Sequence, residues 1–276
     1  MAELASGQIL KMKTELKGPV EYSLPLGDEL VPMNAFLGKK LSLKFEGKIT
    51  CVECGRKTSK SFSQGYCYPC FKSKAACDLC IMSPERCHFA AGTCREPEWA
   101  EKNCNVDHFV YLANSSGIKV GITRHTQIPT RWIDQGARQA LALFRVSTRH
   151  QSGILEVAFK EHVADKTHWQ RMLKGEPEAQ DMFARRDELL PKVEAQLSAF
   201  VETFGQSSVE KLGSAEVTEI TYPILEYPQK VSSRNFDKTE LVEGTLMGIK
   251  GQYLIFDSGV INIRKFGGYH VTVSGD

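Results

Sequence analysis

The chain has 276 residues, 42% of them hydrophobic and 25% charged, with a formal net charge of +2. That composition fits a water-soluble protein of one large domain or two to three small ones, and excludes a chain too polar to bury a core. No run of about 18 apolar residues occurs, which excludes a membrane-spanning helix, and the N-terminal MAELASGQILKMK lacks the basic start and apolar stretch of a signal peptide, so a cytoplasmic location is expected.

Residues 1–50 read as N-terminal β strands. Val20–Leu24 and Lys40–Phe45 alternate apolar and polar side chains, and Leu26-Gly27-Asp28 and Glu46-Gly47-Lys48 carry turn chemistry. Residues 51–107 are cysteine-rich and too poor in aliphatic side chains to form a core alone. Residues 108–205 begin with a predicted strand over His108–Ala113, a turn at Asn114-Ser115-Ser116-Gly117 and a second strand over Ile118–Ile122. A helix is expected from near Pro129 to Gly136. The stretch 154–203 reads as mostly helical, with Leu189, Leu190, Val193, Leu197, Phe200 and Val201 as a packing stripe. Residues 206–276 return to strands. Turn signals at Lys250-Gly251, Asp257-Ser258-Gly259 and Gly267-Gly268 separate Glu243–Ile249, Gln252–Phe256, Val260–Arg264 and Tyr269–Val273 into an antiparallel meander. The N-terminal strands are expected to complete that sheet.

All nine cysteines lie between Cys51 and Cys104. An odd number confined to one stretch of a chain without an export signal points to reduced thiols holding metal rather than to disulfides. Cys51-x2-Cys54 and Cys67-x2-Cys70 are two knuckles whose four thiolates suit one structural zinc ion. Two redox-active pairs would need a βαβ context that is absent. Cys77-x2-Cys80, Cys87-His88, Cys94 and Cys104 follow. A second zinc takes Cys77 and Cys80 as its pair and two more ligands from Cys87, His88, Cys94 and Cys104, with Cys94 and Cys104 preferred and His108 a remote candidate. The leftover cysteine is then a packed thiol. Around the knuckles stand Arg56, Lys57, Lys60, Phe62, Tyr66, Tyr68, Phe71, Lys72 and Lys74. They suit phosphate contacts with base stacking, or equally a small aromatic core under the metal with lysines keeping it in solution.

The small net charge conceals an uneven distribution. Residues 108–150 hold six cations, Lys119, Arg124, Arg131, Arg138, Arg145 and Arg149, against the single acid Asp134, a net +5. Residues 151–205 carry −3. Five of the six cations are arginine, whose planar fork grips phosphate, so the segment reads as a local anion site suited to a nucleic-acid backbone.

Phe109-Val110-Tyr111, then Lys119-Val120-Gly121-Ile122-Thr123, then Arg131 on a predicted helix and Glu156 on a later one stand in the order and spacing of a known core. This stretch resembles the GIY-YIG nuclease superfamily, in the variant branch that reads KIGIT-like in its second motif. Phe109 replaces the first glycine, Lys119 the second tyrosine, and the superfamily's late asparagine has no clear counterpart. A four-residue turn sets Tyr111 opposite Val120 with Lys119 on the other face, and a one-residue slip reverses that. The cysteine ribbon joined to KVGIT and RWIDQGA is also similar to an uncharacterised bacterial family of unknown function. The resemblance implies phosphodiester hydrolysis with magnesium or manganese. Glu156 would hold the divalent cation, Arg131 clamp the phosphate, Tyr111 position or help deprotonate the attacking water, and Lys119 and Gly121 complete the site.

The expected architecture is α+β: a zinc-ribbon insert, a GIY-YIG-like α/β core, and a C-terminal antiparallel β domain. The expected function is nucleic-acid binding (DNA or RNA) with metal-dependent cleavage. Its rivals are a non-catalytic zinc-ribbon binding or regulatory protein of the same shape, and a scaffold whose arginines meet an acidic protein.

Overall fold

The computed structural model describes residues 1–276. The chain opens with β1 (Ala2–Gln8), β2 (Lys13–Glu15), β3 (Glu21–Leu26), β4 (Glu29–Pro32) and the long β5 (Lys40–Thr50). The cysteine region holds only β6 (Lys57–Thr58), α1 (Tyr68–Ser73), α2 (Pro97–Asn103) and single 3-10 turns. Next come β7 (His108–Asn114), β8 (Ile118–Arg124), α3 (Thr130–Asp134), β9 (Gln139–Val146) and α4 (Arg149–Lys160). After α5 (Trp169–Lys174), α6 (Met182–Leu189) and α7 (Glu194–Phe204), the chain returns to strands: β10 (Val209–Lys211), β11 (Thr218–Glu219), β12 (Leu241–Lys250), β13 (Tyr253–Phe256), β14 (Gly259–Asn262) and β15 (Tyr269–Gly275). The fold is α+β, and every named strand pair is antiparallel.

The largest sheet runs β1-β15-β5-β12-β13-β14, with β6 on the end of β5. β15 shows why: Tyr269, Val271 and Val273 are buried while His270, Thr272 and Ser274 are not, the period-2 pattern of a strand with one face inside. The N-terminal strands do join the C-terminal ones, and Lys44 pairs with both Leu241 and Thr272. The meander, however, stops at β14. Ile263–Phe266 is a 3-10 turn, with Ile263 and Phe266 buried, and β15 crosses over to lie between β1 and β5.

The second sheet runs β10-β9-β7-β8, with β11 also on β9. Alternation along β7 divides its two faces. Val110 and Leu112 pack with Leu155, Phe159, Leu189 and Phe200 from the helices, whereas Tyr111 and Ala113 join the core of the large sheet with Trp132 and Ile133. β7 is therefore covered on both sides, which is why it reads as nearly continuous apolar sequence.

Asp134 fixes one sheet on the other. This carboxylate, 3% exposed, receives the Lys11 ammonium at 2.7 Å and the Gln252 amide at 2.8 Å. Gln252 also brackets Met12, accepting from its N–H at 2.8 Å and donating to its carbonyl at 3.0 Å. The only acid of the +5 segment is thus consumed in structure.

α4 starts at Arg149, five residues before the helical stretch expected from Ile154, on a capping box. Thr148 Oγ1 accepts the Gln151 N–H at 3.2 Å, and Gln151 Oε1 accepts the Thr148 N–H at 3.1 Å. Gly153 lets this helix meet the cysteine region: a Cβ there would lie 2.6 Å from Glu85 N and 2.8 Å from Pro84 C. Backbone atoms cannot swing aside, so Gly153→Ala is expected to lower stability by about 1–3 kcal/mol in urea unfolding. An unchanged midpoint would show that the contact is dispensable.

Candidate functional site

The four thiols of Cys51, Cys54, Cys67 and Cys70 lie within 4.8 Å of one another. Cys54 Sγ is 3.7 Å from Cys67 Sγ, close to the roughly 3.8 Å edge of a tetrahedron with Zn–S bonds of about 2.3 Å. Burial raises the Cys51 thiol, but the N–H groups of Cys54, Cys67 and Glu53 outweigh it and bring the thiol down to about 6. Donor set and geometry suggest a zinc site. Val52 N–H donates to Gly65 O at 2.9 Å within the cluster, which is tied to the large sheet where Thr50 N–H donates to Gly268 O at 2.9 Å and Ser61 Oγ to Gly267 O at 3.0 Å.

The residues around it answer the question of stacking against packing. Phe62 lies 5.6 Å from Phe71 and 5.5 Å from Tyr68, ring to ring, and Lys60 sits over Phe62. Lys74 is held by Glu53 at 2.8 Å and Glu96 at 3.0 Å. Phe62, Phe71 and Lys74 are thus spent within the cysteine region, while Arg56, Lys57, Lys72 and Tyr68 stay exposed.

The second cysteine group is not gathered as the sequence spacing suggests. Cys80 shares a cluster with Asp78 and His88, and Cys77, Cys87, Cys94 and Cys104 stand outside it. His108 is fully buried, its Nδ1 2.7 Å from Val106 O, and burial lowers it to about 4. It is a core histidine.

A cleft of about 450 Å³ opens where the cysteine region, β8, α3, α4 and the large sheet converge. Its lining carries seven cations against three acids. Asp134 and Lys11 neutralise each other, leaving Arg124, Arg131, Arg149, Lys160, Lys166 and Arg264 facing Glu156 and Asp165. Sequence reasoning found Arg131 and Glu156 here. It also placed Arg124 and Arg149 in the basic segment read as an anion site, and missed Lys166 and Arg264, which arrive from outside that segment.

Arg131 forms no ion pair in the structure. Arg149 donates from Nη2 to Ile81 O at 2.8 Å and from its own N–H to Cys104 O at 2.7 Å, while its buried Nε has no acceptor. Arg124 is held by Asn103, and Arg264 Nε by Gln64 at 2.6 Å. Of the other cations in the segment, Arg138 reaches Pro177 O at 2.8 Å and Arg145 reaches Glu210 at 2.6 Å, away from the cleft.

Tyr111, Gly121 and Lys119 lie beneath this cleft. Asn114 pairs with Ile118, so the turn has three residues, Ser115–Gly117. Tyr111 therefore faces Gly121, Ala113 faces Lys119, and Tyr111 and Lys119 share one face of the sheet. Gly121 is required there because a Cβ would lie 2.7 Å from the Tyr111 hydroxyl. Tyr111 is fully buried, its hydroxyl accepting the Gln135 amide at 2.6 Å and its ring edge-on to Trp132 at 5.9 Å. Burial raises the phenol against the pull of Arg131 and Gln135. The expected role in deprotonating water does not suit a sealed phenol; Tyr111 instead holds α3, and with it Arg131. Lys119, 6% exposed, is lowered by burial and then by Arg131 to about 7, with Glu156 and Asp165 opposing.

One family matches most of the chain: "Protein of unknown function (DUF2797)", over residues 38–271. The chain belongs to the DUF2797 family. No curated protein and no solved structure matches it. The match spans β5, the cysteine region, the cleft and most of β15, so the family includes all three walls of the site. No helix is long and apolar enough to cross a membrane.

Glu156, with its side chain 12% exposed, meets Lys160 at 3.3 Å, and Lys160 also meets Asp165 at 3.4 Å. Burial raises the Glu156 carboxyl, with Lys160 opposing. Folding thus shifts Glu156 toward its protonated form relative to the unfolded chain. That group adds stability below its unfolded pKa and loses it as pH rises through the folded one. Glu156→Gln fixes the neutral form and is expected to leave the protein, free of divalent cations at neutral pH, as stable or about 1 kcal/mol more stable in urea unfolding. A loss of that size would show that the pair with Lys160 outweighs the burial.

Proposed function

We propose that this protein binds nucleic acid in the basic cleft and cleaves its phosphodiester backbone with a divalent cation, in the manner of the GIY-YIG nucleases that its sequence resembles. The observation that carries the reading is the opening of Arg131 and Glu156 into one cleft, beside an Arg149 whose buried Nε lacks an acceptor. A guanidinium without an ion pair and a buried guanidinium N–H without an acceptor are donors matched to phosphate oxygens.

Arg131 clamps the scissile phosphate as negative charge builds on it. Arg149, Arg124 and Lys166 track the flanking backbone. Lys119 stands where the superfamily has its second tyrosine, beneath the cleft beside Tyr111, and its ammonium adds to the positive field that Arg131 presents to the phosphate. Tyr111 positions α3 from below. The donors suit magnesium or manganese: Glu156 and Asp165 are hard oxygen ligands sharing one lysine ammonium, so a cation already balances their charge. When bound, the ion would stabilise charge on the phosphate and the leaving oxygen. Zinc at the Cys51 cluster is structural in this scheme. The Lys160–Glu156 pair favours a second reading, in which the lysine permanently occupies the cation position and the cleft only binds.

Four phosphate contacts predict that log affinity for DNA or RNA falls with log salt at a slope of roughly −3 to −4; a flat response removes phosphate contacts as the basis of binding. Wild-type protein with magnesium or manganese is expected to cut a mixed panel of DNA and RNA. Glu156→Gln and Arg131→Ala are each expected to lose about 10²–10³-fold in rate, and Glu156→Gln to keep its affinity. Binding without cutting in the wild type selects the second reading.

A further inference from the structure

The lining of the cleft divides into two unlike parts. Seven of its twenty residues come from the cysteine region, and none of those is charged. All ten charged residues come from the rest of the chain. A ligand that offered phosphate alone would gain nothing from the uncharged part. That part is mostly apolar, with Ile81, Met82, Pro84 and Trp99 on it, and Met82 is 82% exposed. Apolar side chains left open to water at the edge of a charged cleft mark a surface that a ligand covers.

Trp99 stands apart from the other two tryptophans. Trp132 is 4% exposed in the main core, and Trp169 stacks on Tyr253 with ring centroids 5.8 Å apart. Trp99 belongs to none of the apolar clusters and none of the aromatic pairs. It is half-buried and lines the cleft. Asn103, on the same helix α2, ties it to the charged part. Its Nδ2 donates to Trp99 O at 2.8 Å, and its Oδ1 accepts from Arg124 Nη1. One side chain therefore fixes the backbone of Trp99 relative to a guanidinium of the cleft.

We propose that the uncharged part holds an unpaired base, stacked on Trp99 and flanked by Ile81 and Met82, while the arginines hold its phosphates, so that the cleft takes a single strand in preference to a duplex. This rests on the reading of the cleft as a nucleic-acid site and names the form of its substrate. Paired bases are already stacked on one another and present only their edges to a protein. An unpaired base has a free face, and every base has one, so the preference is for strandedness and not for sequence. A cleft of about 450 Å³ has room for a ligand the size of one nucleotide. Stacking does not separate DNA from RNA, so each is an arm of the test.

Affinity is measured by fluorescence anisotropy on the full chain, without magnesium or manganese, for a labelled single strand and its duplex in DNA and in RNA, and for an abasic DNA strand of equal length. The single strand is expected to bind about 5- to 150-fold tighter than the duplex, and than the abasic strand, which keeps the phosphates and lacks the bases. Trp99→Ala loses a similar factor toward the single strand and keeps its duplex affinity. An unlabelled single strand is expected to quench the tryptophan fluorescence of the wild type, since neither Trp132 nor Trp169 lines the cleft. Trp99→Phe removes the quench and retains most of the affinity, because a phenyl ring also stacks. Where Trp99→Ala fails to fold, the wild-type comparison and Trp99→Phe decide. A preference for the single strand in one arm alone supports the proposal and assigns the strand to DNA or RNA. Equal affinity for duplex and single strand in both arms, equal affinity for the abasic strand, or undiminished single-strand affinity in Trp99→Ala overturns the proposal and leaves the nuclease reading standing. No binding to any of these nucleic acids overturns both. An absence of cutting overturns the nuclease reading alone, because none of these measurements requires it.

Discussion

The arrangement of the whole molecule depends on burying one carboxylate. Asp134 closes α3 and is sealed between the two sheets by Lys11 and Gln252. Lys11 is 40% exposed, so solvent screens the pair, and removing the lysine costs about 1 kcal/mol while the Gln252 amide still holds the carboxylate. The geometry matters more than the energy. Arg131 is three residues before Asp134 on the same short helix. A five-residue helix has little stability of its own, so the large sheet, through Asp134, and Tyr111, through Gln135 and Trp132, together decide where Arg131 points.

This dependence explains why the cleft has three walls from three stretches of sequence. Arg264 comes from the turn before β15, Ile81 and Cys104 from the cysteine region, and Arg131 and Glu156 from the segment between. A net charge of +2 gives no hint of such a site. Acids on the outer faces of α6 and α7 balance the sum while lying away from the cleft. What a phosphate would meet is the local field, set by which guanidinium groups have been left without carboxylates.

Much of the fold was legible in the sequence because the signals were local. The strands at 40–45, 108–113 and 118–122, and the short helix after Pro129, follow from alternation, β-branched runs and turn residues, and the structure has them. The first four cysteines were legible for the same reason, since two short knuckles at fixed spacing prescribe their own geometry. Most of what the sequence did not show was non-local. Alternation does not say that β15 inserts between β1 and β5, because any neighbour would satisfy a one-sided strand. The register of β7 on β8 stood open between two alternatives, and the three-residue turn selects the one that puts Lys119 on the face of Tyr111. In the second cysteine group the CxxC spacing at Cys77 and Cys80 pointed to a pair, whereas the structure gathers Cys80 with Asp78 and His88. The start of α4 was readable in Thr148 and Gln151 and was passed over in favour of the apolar run that follows.

The place of β5 in the large sheet also sets a schedule. Its partners, β12 and β15, are made roughly 200 residues later, and at about 5–20 residues per second the ribosome takes on the order of 10–40 s to supply them. For that interval β5, whose apolar side chains alternate with polar ones, has most of both long edges unpaired, the state from which strands aggregate. Meanwhile everything from the first knuckle to α7 is synthesised between the two halves of an unfinished sheet. Metal capture at Cys51, immediately after β5, is the first local event able to order that stretch of nascent chain. The supply of zinc during translation would therefore bear on how much protein reaches the folded state, apart from any effect on the finished molecule.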